Sequence, residues 1–260
     1  MSWAFKRKFL YIAGIVLFFA VIIGTPVLYW YTHIPPSCSD GIQNQGETSV
    51  DRGGPCPLLD PNTLTPISVL WSRSFKVRDG SYSSVAYVEN LNREAGIEKI
   101  AYRFRLYDSH NVLVADRDGT TYIMPGAVTP ILQTGIDTGT REAVRTLFDF
   151  LEEPVWKKMS SSVEKITVDN KKVSDLTFLP RISADVKNLD VAPMFDASLV
   201  AVIFDPGGNA FAASGTHIDR FPEGSQQNVV FTWPTPFTTP IGRIDILPVG
   251  KPKVLSGAQQ

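Results

Sequence analysis

The chain has 260 residues, a formal charge of −1 and a charged fraction of 20%. That length accommodates a membrane anchor and one or two domains of ordinary size, and the balanced charge excludes the clustered basic surplus of a nucleic-acid binder. With 19 Gly and 19 Pro against 3 His and 2 Cys, the composition suits turn-rich β structure and leaves little material for a metal or nucleophile site.

From Phe9 to Tyr31 no residue is charged. A helix of that length, rising about 1.5 Å per residue, covers the roughly 30 Å hydrocarbon layer. Lys6, Arg7 and Lys8 precede the stretch, while Asp40, Glu47 and Asp51 follow it against a single Arg52. The positive-inside bias therefore leaves residues 1–8 as a cytoplasmic tip, makes 9–31 a retained single-pass anchor, and exports everything after it. A cleaved signal peptide is the competing reading, but the run exceeds the usual apolar core of about 7–15 residues and no small-x-small site ends it. Tyr29, Trp30 and Tyr31 suit an interfacial aromatic belt. Pro26 is expected to kink the outer end of the helix.

Residues 32–66 are expected to be a spacer, dense in turn formers and too poor in apolar residues for a core of its own. In an oxidising compartment Cys38 and Cys56 would close on each other, which is worth roughly 3 kcal/mol for a loop of this size in the chain-entropy model. Asp40, Asn44, Glu47 and Asp51 are weak candidate calcium ligands, since hard cations take carboxylate and amide oxygens in such loops. Their spacing does not match an EF-hand, and a solvated, disulfide-closed spacer is the stronger reading. The segment resembles a short motif, C-x-D-G-x-x-N-x-G-E-x-x-x-D-C-G-G-x-C, of exported and surface-anchored bacterial proteins. Arg52 stands where that motif has a third Cys.

From about residue 67 the chain repeats itself. Val88-Glu89-Asn90-Leu91 recurs as Val186-Lys187-Asn188-Leu189, Asp108 as Asp205, Asn111 as Asn209 and Pro125 as Pro222, always 97 or 98 residues apart. A period near one hundred matches one β-sandwich domain and is too long for a solenoid unit. Alternation supports strands: Ile100, Tyr102, Phe104 and Leu106 form one apolar face, as do Ile182, Ala184 and Val186. Asp79-Gly80, Asp118-Gly119, Pro125-Gly126, Gly207-Gly208 and Glu223-Gly224 supply the turns. Thr140 to Phe150 reads equally as a helical turn or a strand edge.

Phe104-Arg105-Leu106-Tyr107-Asp108 spells F-x-L-Y-D, so the first copy resembles the FxLYD domains, immunoglobulin-like modules of bacterial envelope proteins. In the second copy, Ala201 to Asp205 keeps only the aromatic-Asp end. The resemblance covers about seven-tenths of the chain and implies an all-β fold: two tandem immunoglobulin-like antiparallel β-sandwiches, at 67–169 and 170–250, with 251–260 as a polar tail. Read physically, Phe104 and Leu106 point inward and Asp108 initiates a turn through its side chain, a structural role.

Two features suggest binding. Val200, Val202 and Phe204 stand where the first copy has Arg103, Arg105 and Tyr107, so that strand is apolar on both faces and something should cover it, either the other domain or a partner. Trp233 and Phe237, in the proline-rich Phe231–Pro240 segment, either present rings to a partner or plug the core. No hydrolase, metalloprotease or nucleotide-binding motif is present, and neither His33, His110, His217 nor the scattered carboxylates form a local catalytic pattern. The expectation is a non-enzymatic, cofactor-free, membrane-anchored binding or scaffolding subunit of a cell-envelope complex. The alternatives are an adhesin for glycan or another cell, and an enzyme with a site between the sandwiches.

Overall fold

The computed structural model describes residues 3–32, 37–160 and 163–255. His33, Pro35, Pro36 and residues 256–260 of the expected tail lie outside the described residues, as do the side chains of Lys6, Trp30 and Tyr31. Helix α1, Trp3–Thr32, carries Pro26 inside it. Its Arg7–Tyr29 segment is long and apolar enough to cross a membrane and is nowhere buried by the rest of the chain.

Apart from 3-10 turns at Pro61–Thr63 and Val163–Lys165, the remaining regular structure among the described residues is antiparallel β. Seven strands form the first half: β1 (Ser68–Arg78), β2 (Ser81–Glu89), β3 (Ala95–Tyr107), β4 (Leu113–Ile123), β5 (Val128–Asp137), β6 (Arg145–Phe150) and β7 (Trp156–Ser160). Seven more follow: β8 (Ile166–Ser174), β9 (Arg181–Asn188), β10 (Met194–Phe204), β11 (Ala210–Phe221), β12 (Gln226–Thr232), β13 (Arg243–Val249) and β14 (Lys253–Val254). The halves repeat their pairings. Sheet β1-β2-β5 matches β8-β9-β12, and β4-β3-β6 matches β11-β10-β13. Thr140 to Phe150 thus resolves as a strand over its second part, with Phe148 turned inward.

Three apolar clusters hold these sheets. One lies between the two sheets of the first half, around Phe104, Leu106 and Ile97. A second lies between those of the second half, around Phe221, Phe231 and Leu199. The third joins the halves, packing β1-β2-β5 on β11-β10-β13. Strand β10 serves two clusters at once: Leu199, Ala201 and Ile203 enter its own core, while Val200, Val202 and Phe204 enter the junction. Each of these side chains other than Ala201 contributes about 1.5–3 kcal/mol on leaving water, so apolar residues on both faces of β10 are what two-sided burial requires.

The shared Asn of the repeat is a core tie. Asn90 and Asn188 are 1% and 0% exposed. Asn90 Nδ2 donates to the carbonyls of Ala95 (2.7 Å) and Met124 (2.9 Å); Asn188 Nδ2 donates to those of Ala192 (3.2 Å) and Phe221 (3.1 Å). Each amide thereby stitches two connections at one end of its half, giving their buried carbonyls a donor. Asp108 and Asp205 play the expected turn role at the other end. Asp108 Oδ1 accepts from the backbone N–H of His110 and Val112, both at 2.9 Å, and Asp205 Oδ1 from that of Asn209 at 2.8 Å.

Three boundaries differ from the sequence expectation. The division at 169/170 falls inside β8, which pairs with β9 along Ile166–Ser174 and so belongs wholly to the second half. The spacer is not free up to residue 66: Leu59 N–H donates to Trp156 O (3.0 Å) and Lys158 N–H to Pro57 O (2.7 Å), while Leu59, Leu64 and Ile67 pack on the first core. Asn92 fastens the same segment, exchanging hydrogen bonds with the backbone of Thr65. Finally, Lys253 and Val254, placed in the expected tail, form β14 and pair with Ser160 and Met159 of β7. The C-terminal strand thus returns to the first half.

Candidate functional site: the seam between the halves

The stripe on β10 is covered from within. Val200, Val202 and Phe204 are 5%, 0% and 3% exposed and meet Phe75, Val85 and Tyr87 of the first half. Trp71 stacks on Tyr87 with centroids 4.4 Å apart and meets Phe204 edge-on at 6.1 Å, while the Arg243 guanidinium sits 4.1 Å over the Phe204 ring. Arg73 reaches across to Ala210 O at 3.0 Å and Asn209 Oδ1 at 3.3 Å. Burial, followed by the nearby Asp245 carboxylate, drives the Tyr87 phenol well above its ordinary value. A partner cannot reach these three residues, so the partner-binding expectation for them gives way to the intramolecular one.

Trp233 and Phe237 lie beside that junction and differ from each other. Trp233 is 7% exposed, belongs to the second core and donates Nε1–H to Ala213 O at 3.1 Å. It is a plug. Phe237 is half-buried and touches Trp233 (5.1 Å) and Phe211 (5.3 Å) edge to face. The Trp233–Thr239 segment is held in place by Trp233 N–H to Pro180 O (3.1 Å) and Phe237 N–H to Leu176 O (3.0 Å). With Phe75–Val77 of β1 and Phe211–Ala213 of β11 it encloses a groove of about 250 Å³ that crosses from one half to the other. Lys76 lines this groove and is ion-paired with Glu142 (2.9 Å) and Asp79 (3.1 Å). The Phe75 and Phe211 contributions were not legible from local sequence: Phe211 meets Phe237 only through the packing of the second core, and Phe75 only through the apposition of β1 to β11.

A second, shallower cleft of about 450 Å³ lies on the same seam, between Tyr102, Tyr122 and Leu132 on one side and Ser198, Val200 and His217 on the other. Ser198 and His217 are cross-strand partners; Ser198 Oγ is 3.2 Å from His217 Nδ1, and His217 Nε2 is 3.2 Å from Asp219 and 3.7 Å from Asp196. Burial, with the Asp196 charge, pushes the Tyr122 phenol up to about 12. The trio has the residue types of a hydrolytic triad without its surroundings. Both carboxylates are almost fully in water, and Ser198 lies in a strand paired on both sides, by β11 and β13, which occupies the backbone donors an oxyanion would need.

The cysteine-bounded loop closes as expected through a Cys38–Cys56 disulfide, Cα atoms 5.5 Å apart. Its oxygen-bearing side chains converge on the backbone. Asp40 accepts from Ser37 N–H, Ile42 N–H and the Asn44 amide; Glu47 accepts from Asn44 and Asp51 N–H; Asp51 accepts from Gly41 N–H. The Ser37 amide, then Asn44 and Ile42, hold the Asp40 carboxyl below its ordinary value. Asn44 Oδ1 is buried without a hydrogen-bond partner. Glu47 approaches both sulfurs, but the disulfide removes them as thiolate ligands. Asp40, Glu47 and Asp51 therefore serve as internal acceptors that shape the loop, while Asn44 donates its side-chain amide to Asp40.

No family model matches the chain, and no curated protein matches it. Among solved structures, the crystal structure of red sea bream transglutaminase is similar over 72% of this chain and 31% of that one, at 9% identity and a TM-score of 0.23. The crystal structure of Bacteroides uniformis beta-glucuronidase is similar over 85% of this chain and 27% of that one, at 12% identity and a TM-score of 0.19. The chain thus spans about a third of the length of either enzyme. At such scores neither likeness bears on function.

Proposed function

We propose that the protein is a non-enzymatic, membrane-anchored binding or scaffolding subunit of a cell-envelope complex, with two immunoglobulin-like sandwiches of FxLYD type held outside the cytoplasm by α1. The observation that carries this reading is the sealed junction. The two halves bury Val200, Val202 and Phe204 between them, which favours one rigid unit over two independently swinging modules. Rigid presentation lowers the ordering cost of binding, and tethering raises the effective concentration of a partner in the same membrane. The surface assigned to the partner is the Phe237 groove, because it draws on both halves and combines aromatic walls with a charged lining residue, Lys76.

The test is site-specific photocrosslinking of the full-length chain in its native membrane. A photoreactive residue at position 237 should give one discrete protein adduct, and one at exposed Val144 should give none. Absence of an adduct at 237, with adducts at other positions, would remove the groove from the interface. Adducts to glycan or to a neighbouring cell would favour adhesion instead.

A further inference from the structure

The chain between α1 and the β body is short once the disulfide is closed. From Thr32 to Cys38 is a reach of about 20 Å at most; the bridge adds 5.5 Å between Cα atoms, and Pro57 then bonds directly to Lys158 of β7. Following the uncrosslinked chain through the loop instead would allow roughly 85 Å. The end of the body that carries the spacer is therefore confined near the mouth of the anchor.

That end presents apolar loop tips. Leu91 and Leu189, equivalent residues of the repeat, are 63% and 50% exposed, and Val191 is 94% exposed. Asn92, next to Leu91, clasps Thr65 of the spacer. Leu189 N–H donates to Lys165 O, five residues after β7 ends. Lys253, four residues after the Val249 partner of Ser198, pairs with Ser160 of β7, which keeps this end of the second half close to the spacer end of the first. The buried Asn90 and Asn188 amides fix both connections from behind. Exposed, rigidly held aliphatic tips at a bilayer boundary gain by entering it, since apolar area leaving water is favourable wherever it goes. The charged residues beside these tips in sequence, Arg93, Glu94 and Asp190, sum to only −1.

We propose that the β body rests on the outer membrane surface through Leu91, Leu189 and Val191, inserted at the headgroup boundary, so that the protein lies against the bilayer at its anchor end with the opposite loops directed away. This rests on α1 being a retained membrane span. The experiment uses the full-length chain reconstituted in phosphatidylcholine vesicles, with the native disulfide intact and a nitroxide placed in turn at 91, 189 or 191. Leu17 in α1 serves as the lipid-facing control and Phe178, 74% exposed in the β8–β9 connection at the other end, as the water-facing control.

Labels at 91, 189 and 191 should be shielded from an aqueous nickel relaxant, approaching the Leu17 value. Leu189→Asp/Val191→Asp should return a label at 91 towards the Phe178 value. Retention of the chain through a carbonate wash with all three labels as water-exposed as Phe178 would overturn the resting surface alone. Release by the wash would overturn the anchor, and the resting surface with it. A label at 91 that stays lipid-facing in the double variant would overturn the shared contact.

Discussion

Gly96 and Pro193 occupy equivalent places in the two halves, and only Gly96 has an N–H to offer a strand beside it. In the first half β7 pairs with the start of β3, Gly96 facing Lys157. Met159 N–H donates to Glu94 O, so by the alternation of antiparallel pairs Gly96 stands at a hydrogen-bonding position. The corresponding residue ahead of β10 is Pro193, which has no N–H to give. β14, the counterpart of β7, leaves that edge and pairs with β7 itself.

Gly96→Ala should destabilise the protein by about 1–3 kcal/mol, the usual range for overpacking, lowering the thermal midpoint. A Cβ at this position would stand 2.9 Å from Ile123 O and 3.0 Å from Met159 Sδ. An unchanged midpoint would mean that β7 is held less closely than its contacts indicate.

Val202→Arg should act on folding before it acts on any partner. Val202 is 0% exposed between the halves, and an unpaired charge there costs on the order of 3–5 kcal/mol. Calorimetry should show either a large drop in a single transition or separation into two. A variant of wild-type stability that loses only a binding partner would contradict the sealed junction.

Asn90→Ala and Asn188→Ala should each cost about 2–3 kcal/mol, because removing Asn90 leaves two carbonyls without their amide donor and removing Asn188 leaves three. Chemical denaturation would measure it. Losses of similar size are expected, since Asn90 makes two shorter bonds and Asn188 three longer ones; a neutral effect at either would show that water replaces the amide there.

The turn aspartates set part of the acid limit of stability. The Asp108 carboxyl is held below its ordinary value chiefly by the Val112 amide, and that of Asp205 chiefly by the Asn209 amide. A folded-state value below the unfolded one gives stabilisation that is complete above the ordinary aspartate value of 3.8 and is lost as pH falls through the lower folded value. Asp108→Asn/Asp205→Asn should therefore flatten the fall in midpoint below about pH 4, while the wild type keeps its steep acid limb.

The repeat and the inward faces of β3 and β9 were legible because alternation reports which side of a strand meets a core, and each has one polar-tolerant face. The same signal exposed β10 as two-sided without saying what lies opposite, since cover from the first half and cover from a partner demand the same residues. β8 hid its allegiance: beyond Ile166 its residues are half-buried or exposed, so the boundary slid into it. β14 was beyond reach, its two residues being too few for any period and its partner strand lying in the other half. Among candidate site residues, Trp233 and Phe237 shared one sequence context, and only the Ala213 carbonyl waiting for the indole separated plug from groove wall.

Lys158 receives two distant parts of the chain: its N–H donates to Pro57 on the anchor side, and its carbonyl accepts from Leu255 N–H at 2.9 Å. Mechanically, this residue is the buckle of the molecule. Tension arriving from the α1 side enters β7 at Pro57–Leu59, and tension applied at β14 leaves through the same strand. The load path crosses one strand edge and bypasses the second half, whose sheets would stay relaxed under a pull that strains the first.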